Sequence, residues 1–485
     1  MPILDELTRS GKTGLLIGGD WQPASDGDTI EVLDPSTAEP IAEVASGSID
    51  DAKSAVDAAA GALGRWASSS PRERSEVLRR AFEIMVERAD DLAELIVLEM
   101  GKARSEAKAE VLYAAEFFRW YSGEALRNAG SVMTAPGGDK RIIAIHQPIG
   151  VALLVTPWNF PAAMATRKIG PAVAAGTTMV LKPASDTPLT ALAVGDILGE
   201  AGLPAGVLNV LPSARSSKVV GAMLADDRVR KLSFTGSTEV GRVLLEQASA
   251  RVVKCSMELG GNAPFLVFED ADIDAAVDGA MIAKMRNGGQ SCIAANRFYV
   301  HAAVAAAFSE KLSRAMSAVQ VGPGLQPGVE LGPLINRTAQ EDMTDVVERT
   351  TGSGAVVLTG GHAPDRPGFF FEPTVLGGIG ADSPVLQQEI FGPIAPVVTF
   401  DTEEEALGLA NDTIHGLASY LYTGDLGRAL RVAEAIEAGM VGVNRGLISD
   451  PAAPFGGVKQ SGLGREGGHE GMLEFLETKY IAADW

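Results

Sequence analysis

The stretch Asn287-Gly288-Gly289-Gln290-Ser291-Cys292 places a thiol just beyond a glycine pair. The residues before it, 272–285, carry Ala, Ile and Val at helical spacing. A buried helix followed by a Gly-Gly turn would present the thiol for attack rather than for packing. Thiols are nucleophilic as thiolates, so such a site needs a positive dipole or a nearby base. Taken alone, the stretch is equally compatible with a small buried core residue, the common fate of a free cysteine.

Other polar residues stand at points where an apolar run gives way to a turn. In Met257-Glu258-Leu259-Gly260-Gly261-Asn262 a carboxylate precedes a second glycine pair. In apolar surroundings Glu258 would have a raised pKa and could act as a general base, although an ordinary ion pair accounts for it equally. Thr156-Pro157-Trp158-Asn159-Phe160-Pro161 is stiffened by two prolines, and Asn159 offers an amide donor for an oxyanion or, more simply, for a turn. Lys182 and Ser185 follow another apolar run, where the lysine either meets ribose or phosphate oxygens or is simply solvated. Gly236 and Ser237 pass into a helical segment whose N-terminus suits a pyrophosphate, without the Gly-x-Gly-x-x-Gly fingerprint. Gln388-Glu389-Ile390-Phe391-Gly392-Pro393 offers Glu389 as a cofactor ligand.

The elements that must hold these loops are readable in outline. Residues 49–66, 71–100 and 103–128 read as three helices, the second with Pro71 in its first turn and Gly101 at its end. Residues 131–134, 136–139 and 141–147 read as strand, turn and strand, a hairpin that would project to meet another subunit. From residue 150 onward, short apolar runs alternate with helical segments. The runs are 150–155, 178–182, 207–211, 231–235 and 252–256. The helices between them lie near 165–175, 189–200, 217–225 and 239–249. A second series runs through 265–268, 298–301, 355–359 and 395–400. This alternation predicts an α/β fold with two doubly wound, Rossmann-like parallel-sheet domains and a β-hairpin element, with ligands outside the carboxyl ends of the strands.

Composition narrows the function. A chain of 485 residues calls for two or three domains. Its net charge of −21 leaves no basic surplus for nucleic acid. No apolar run reaches the ~18 residues of a membrane span, and no signal pattern opens the chain, so a cytoplasmic protein is expected. Two cysteines make no disulfide framework, and five scattered histidines offer no metal cluster, so no metal is expected.

Taken together, TPWNFP at Thr156, KPAS at Lys182, FTGS at Phe234, ELGG at Glu258, GQSC at Gly289, EIFGP at Glu389 and PFGGVKQSGLGRE from Pro454 resemble the aldehyde dehydrogenase superfamily over nearly the whole chain. The resemblance implies Cys292 as nucleophile, Glu258 as general base, and Asn159 in the oxyanion hole with the Cys292 backbone N–H. It implies a cofactor groove formed by Thr156, Pro157, Trp158, Lys182, Ser185, Gly236, Ser237, Leu259, Glu389 and Phe391. It also implies a dinucleotide-binding domain (1–126 and 148–257), a catalytic domain (258–446) and an oligomerisation element (127–147 and 467–485, with a C-terminal strand at 479–483) in a homodimer or homotetramer.

Within the superfamily the chain is most similar to succinate-semialdehyde dehydrogenases, through Met164-Ala-Thr-Arg167-Lys168, Lys284-Met285-Arg286-Asn287 and Gly446-Leu-Ile-Ser449. That likeness implies that Arg167, Arg286 and Ser449 hold the far carboxylate of the substrate. Ala294 stands where some members carry a second, redox-active cysteine, so that regulation is not expected. Arg445 has no counterpart in this scheme. Ser185 stands where relatives preferring NAD often have a glutamate that would repel a 2′-phosphate, so NADP is expected to be preferred and NAD accepted. The alternatives are a longer semialdehyde such as glutarate semialdehyde, a general aldehyde, an acylating coenzyme A-dependent reaction, and a non-catalytic structural role. The last two sit poorly with an intact Cys292, Glu258 and Asn159.

Overall fold

The computed structural model describes residues 2–484. Its framework is two parallel sheets. In the first, the strands Leu208–Val210, Thr178–Lys182, Val151–Val155, Val229–Thr235 and Lys254–Glu258 lie in that order and run parallel. Their residues are almost all buried, as expected for strands covered by helices on both faces. The chain begins this run at the central strand Val151–Val155, winds out to Leu208–Val210, and returns to the other side with Val229–Thr235. That reversal leaves a crevice beyond the carboxyl ends of Val151–Val155 and Val229–Thr235, from which the Thr156 loop and the Gly236 turn emerge.

The second sheet has the order Val356–Thr359, Thr374–Gly377, Ile394–Phe400, Ala295–His301, Ala263–Val267, Ala418–Tyr422, Met440–Val443. All but the first strand are parallel. The expected two doubly wound sheets are both present. Three of these strands, Thr374–Gly377, Ala418–Tyr422 and Met440–Val443, have no counterpart in the sequence reading. They are four or five residues long, too short for periodicity to separate them from loop.

Two corrections concern the first 150 residues. The helix expected over 71–100 is two helices, Pro71–Glu87 and Ala89–Met100, broken at Arg88, whose φ and ψ of −97° and 19° leave the helical region. The opening 45 residues, left without elements by sequence alone, hold the helix Pro2–Arg9 and four strands. Leu15–Ile17 and Asp20–Gln22 add an antiparallel edge to the first sheet, through the pairing of Leu16 with Val210. The hairpin Ser131–Thr134/Arg141–Pro148 forms as expected. It is joined by the C-terminal strand Leu476–Ala483, three residues longer than expected at its start.

Candidate functional site

The two sheets meet where their chemistry-bearing loops converge. Glu258 is the last residue of Lys254–Glu258 at the carboxyl edge of the first sheet. Cys292 precedes Ala295–His301 at the amino edge of the second. The helix Ile273–Met285 stops at Arg286, and Asn287, Gly288 and Gly289 then take φ values of 54°, 61° and 76°. Three successive left-handed residues turn the chain back toward the first sheet, a path that glycine follows at least cost and asparagine tolerates. At Gly289 a Cβ would lie 2.2 Å from the Gly392 carbonyl oxygen, so only glycine fits.

An inner cavity of about 240 Å³ collects Cys292, Asn159, Pro157, Trp158, Gly236, Ser237, Leu259, Glu389 and Phe391, with Met164, Thr235 and Gly260. Trp158 and Phe391 close one wall edge to face, with ring centroids 5.5 Å apart. Asn159 Nδ2 donates to the Gln290 carbonyl at 3.0 Å, which leaves its second N–H for another acceptor. Burial pushes the Cys292 thiol up to about 12, against the opposing pull of the Arg167 charge. Glu258 is 1% exposed, and neither of its carboxylate oxygens has a hydrogen-bond partner. Burial, with the nearby Glu466 carboxylate, raises its pKa well above the ordinary range. In both groups burial therefore penalises the charged form, as apolar surroundings do for acid–base groups.

Further along the crevice, Lys182 ends its strand and is buried, and burial lowers its ammonium to about 8. Its carbonyl accepts the Thr156 N–H at 3.2 Å, which ties the two strand ends together. Ser185 donates to the Ser213 carbonyl at 3.1 Å. Ser237 is the N-cap of the helix Thr238–Ser249, accepting the Val240 N–H at 3.3 Å. Glu389 accepts the Gly261 N–H at 3.1 Å, and burial raises it to about 7.

A second, outer cavity of about 490 Å³, lined by Phe160 and Asn287, contains Arg286 and Ser449. The Arg286 guanidinium lies over the rings of Phe160 (4.9 Å) and Tyr113 (5.5 Å), with Nη1 3.5 Å from Ser449 Oγ. Arg167 is not in this wall. It is 1% exposed, pairs with Glu466 at 2.6 Å and stacks on Phe455 at 4.2 Å. Tyr113 also lines this cavity, and burial raises its pKa while the charges of Arg167 and Arg286 lower it. Arg445 is exposed and lines neither cavity itself, but donates to the carbonyl of Leu447, which lines the outer one, at 2.5 Å.

Sequence reasoning missed Lys102, Glu106, Glu110 and Tyr113, which all line the outer cavity. The last three follow an i, i+4, i+7 spacing on the helix Arg104–Glu124, so two acids and a tyrosine share one face. The spacing stands in the sequence, but nothing there marks that face as buried.

A model of the aldehyde dehydrogenase family matches residues 21–481. The chain belongs to the aldehyde dehydrogenase family. It is 55% identical over 441 residues to a succinate-semialdehyde dehydrogenase of Paenarthrobacter nicotinovorans, covering 91% of this chain and 98% of the relative. It is 50% identical over 465 residues to a glutarate-semialdehyde dehydrogenase of Pseudomonas putida, covering 96% of each. The crystal structure of an NADP-dependent enzyme from Escherichia coli superposes with a TM-score of 0.96 at 48% identity, covering 98% of both chains. As an aldehyde dehydrogenase the chain is an oxidoreductase. Among the described residues, no helix is long and apolar enough to cross a membrane.

Proposed function

We propose that this enzyme oxidises succinate semialdehyde to succinate, with NADP preferred and NAD accepted. The observation that carries the proposal is the outer cavity, where Arg286 and Ser449 face a chamber lined by Phe160 and Asn287. A planar guanidinium matches a carboxylate bidentately, so an aldehyde reaching Cys292 from that chamber would be selected by an anionic far end.

The inner cavity would take the nicotinamide end of a dinucleotide, with the adenosine end toward Lys182 and Ser185. Gly260 leaves room that a Cβ would fill, 2.8 Å from Glu389 Oε2, and the helix Thr238–Ser249 opens its N-terminus there with no side chain at Gly236. Glu389 and Lys182 would take the ribose hydroxyls, and Gly236 and Ser237 the pyrophosphate. Thr156, Pro157, Trp158, Leu259 and Phe391 would form the walls, with Ser185 near the adenosine ribose.

Cys292 Sγ loses its proton to solvent and adds as the thiolate to the aldehyde carbon, while the Asn159 amide and the Cys292 N–H hold the resulting oxyanion. Bound nicotinamide supplies the acceptor for the hydride that leaves this thiohemiacetal. The ionised form of Glu258 then takes a proton from water as the water attacks the thioester. Succinate leaves and the thiolate is regenerated. Arg167, held by Glu466, contributes positive charge from behind the site rather than from the outer cavity.

We assign residues 1–126 and 148–257 to dinucleotide binding, 258–446 to catalysis, and 127–147 with 467–485 to subunit association in a cytoplasmic homodimer or homotetramer. A second reading, glutarate semialdehyde, is favoured by the Pseudomonas putida relative and by the volume of the outer cavity. A panel of succinate semialdehyde, glutarate semialdehyde and butanal, read by nucleotide absorbance with each cofactor, tests the proposal. Highest kcat/KM on butanal would overturn both semialdehyde readings.

A further inference from the structure

Asn159 is approached from behind by a buried cation. Lys102 lies in the short connection between the helices Ala89–Met100 and Arg104–Glu124, and only 2% of it is exposed. Its Nζ donates to the Asn159 carbonyl at 2.9 Å and pairs with Glu110 Oε2 at 2.5 Å. The ammonium also sits over the Phe160 ring, 4.2 Å from its centroid. The second lone pair of the Asn159 carbonyl is taken by Asn287 Nδ2, also at 2.9 Å.

Glu110 serves a second purpose. The helix Pro161–Ala175 begins immediately after Asn159 and Phe160, and Phe160 provides no side-chain cap. Glu110 Oε1 accepts the Ala162 N–H at 2.9 Å and the Ala163 N–H at 3.3 Å, two of the donors such a helix leaves unsatisfied. One carboxylate therefore fixes the start of the helix while its counter-ion fixes the residue two places earlier. One turn before Glu110 on the same helix face, Glu106 accepts the Asn287 N–H at 2.8 Å. Asn159 is thus tied to the thiol loop through Asn287 and to the helix Arg104–Glu124 through Lys102.

We infer that Lys102 and Glu110 are positioning residues that hold Asn159 so that its free amide N–H meets the oxyanion. This rests on the reading of Asn159 as an oxyanion donor. A buried pair of this kind adds little net stability compared with apolar packing, but removing one partner strands the other charge. A donor aimed at a developing charge is sensitive to displacements of about 1 Å. The pair therefore governs the chemical step more than ligand affinity.

The test is a double-mutant cycle on the full-length enzyme, with the pre-steady-state burst of reduced nucleotide as readout. Asn159→Ala should slow the burst by about 10²–10³, the usual loss of one oxyanion donor. Lys102→Met should slow it about tenfold, with cofactor affinity by fluorescence titration unchanged within twofold. In the Asn159→Ala background, Lys102→Met should cost less than twofold, because the group it positions is gone. An equal tenfold loss in both backgrounds, or an unimpaired burst in Lys102→Met, overturns the inference. A wild-type burst in Asn159→Ala instead overturns the oxyanion reading. Should Lys102→Met fail to fold by circular dichroism, Glu110→Gln, which keeps an oxygen for the Ala162 and Ala163 amides, is held to the same non-additivity criterion.

Discussion

The inner and outer cavities differ in the partners they give to charge. In the inner one, burial pushes Cys292 up to about 12, Glu389 up to about 7, and Glu258, in the wall behind, well above the carboxylate range. In the outer one, burial also works against charge, lowering Lys102 and raising Glu106, but the charges there have partners, with Lys102 paired to Glu110 and Arg286 spread over two aromatic faces. The contrast fits the roles proposed for the two spaces. Acid–base groups must change protonation state during turnover, so an environment that penalises their charged forms brings them within reach of transfer. A group that recognises an anion must stay charged throughout, which requires partners or ring faces.

The sharpest break comes from the inner cavity. Cys292→Ala should remove burst and turnover together, a loss on the order of 10⁴-fold or more, as for other nucleophiles acting in a unit. Glu258→Gln should keep a burst of reduced nucleotide while steady-state turnover falls by about 10²–10⁴. A Glu258→Gln enzyme turning over at the wild-type rate would remove Glu258 from deacylation. Because its pKa is raised, the base form of Glu258 grows as pH rises. Deacylation-limited kcat should therefore climb on the alkaline side, and that limb should vanish in Glu258→Gln.

The two arginines separate the cavities next. Arg167→Ala takes one of two cations from Glu466, which keeps Lys168 and Ser233 as buried partners. Breaking a buried pair costs up to about 3–5 kcal/mol, less where a second cation remains. We expect a clear fall in denaturation midpoint and losses on succinate semialdehyde and butanal alike. Arg286→Ala removes a recognition charge at no comparable structural cost. It should lose about thirtyfold in kcat/KM on succinate semialdehyde, on the order of 2 kcal/mol, and little on butanal. Equal losses for Arg286→Ala on both aldehydes would make the outer cavity a passage without selectivity.

The difference between the cavities also bears on what could be read from sequence. Val151–Val155 and Thr178–Lys182 were legible because strands buried on both faces are written as unbroken apolar runs. Cys292 was legible because a left-handed turn needs glycine, and two glycines mark it. The strand Leu15–Ile17 was not, since three residues carry no period and its partner Val210 lies nearly 200 positions away. Lys102, Glu106 and Glu110 were hidden for another reason. Charged residues on a helix ordinarily mark its solvated face, and here the loops carrying Asn159 and Asn287 fold over that face and bury it. Arg167 was found, yet its partner Glu466 lies about 300 residues on, so spacing could not distinguish a substrate ligand from an ion pair.

Cofactor choice sharpens the account of the inner crevice at smaller magnitude. Asp186, the acid closest in sequence to Ser185, is exposed and meets the Asn336 amide at 3.5 Å. Ser185→Glu introduces a carboxylate where a 2′-phosphate would lie. The ratio of kcat/KM for NADP to that for NAD should fall by about tenfold or more, largely through KM for NADP. A ratio unmoved by the substitution would place the adenosine ribose away from Ser185.

The smallest effect lies with Glu389. Its carboxyl, raised to about 7 by burial, is pulled down by the Gly261 N–H and by Lys284, itself lowered to about 7. Near neutrality Glu389 is therefore only partly ionised. A carboxylate accepts from both ribose hydroxyls, whereas the protonated form gives up one acceptor position. Affinity should consequently rise with pH, from weakest below 6 to a plateau near 8, by no more than about tenfold across a pKa near 7. Binding should release a fraction of a proton at pH 7, since the ribose hydroxyls favour the ionised form. Fluorescence titration with NAD, which has no ionisation between pH 6 and 8, isolates the protein group. Glu389→Gln should flatten the curve at weaker affinity. Lys284→Met, which removes the cation that favours ionisation, should shift the rise to higher pH. An affinity independent of pH in the wild-type enzyme, or a rise that survives in Glu389→Gln, would show that Glu389 is not the group that meets the ribose.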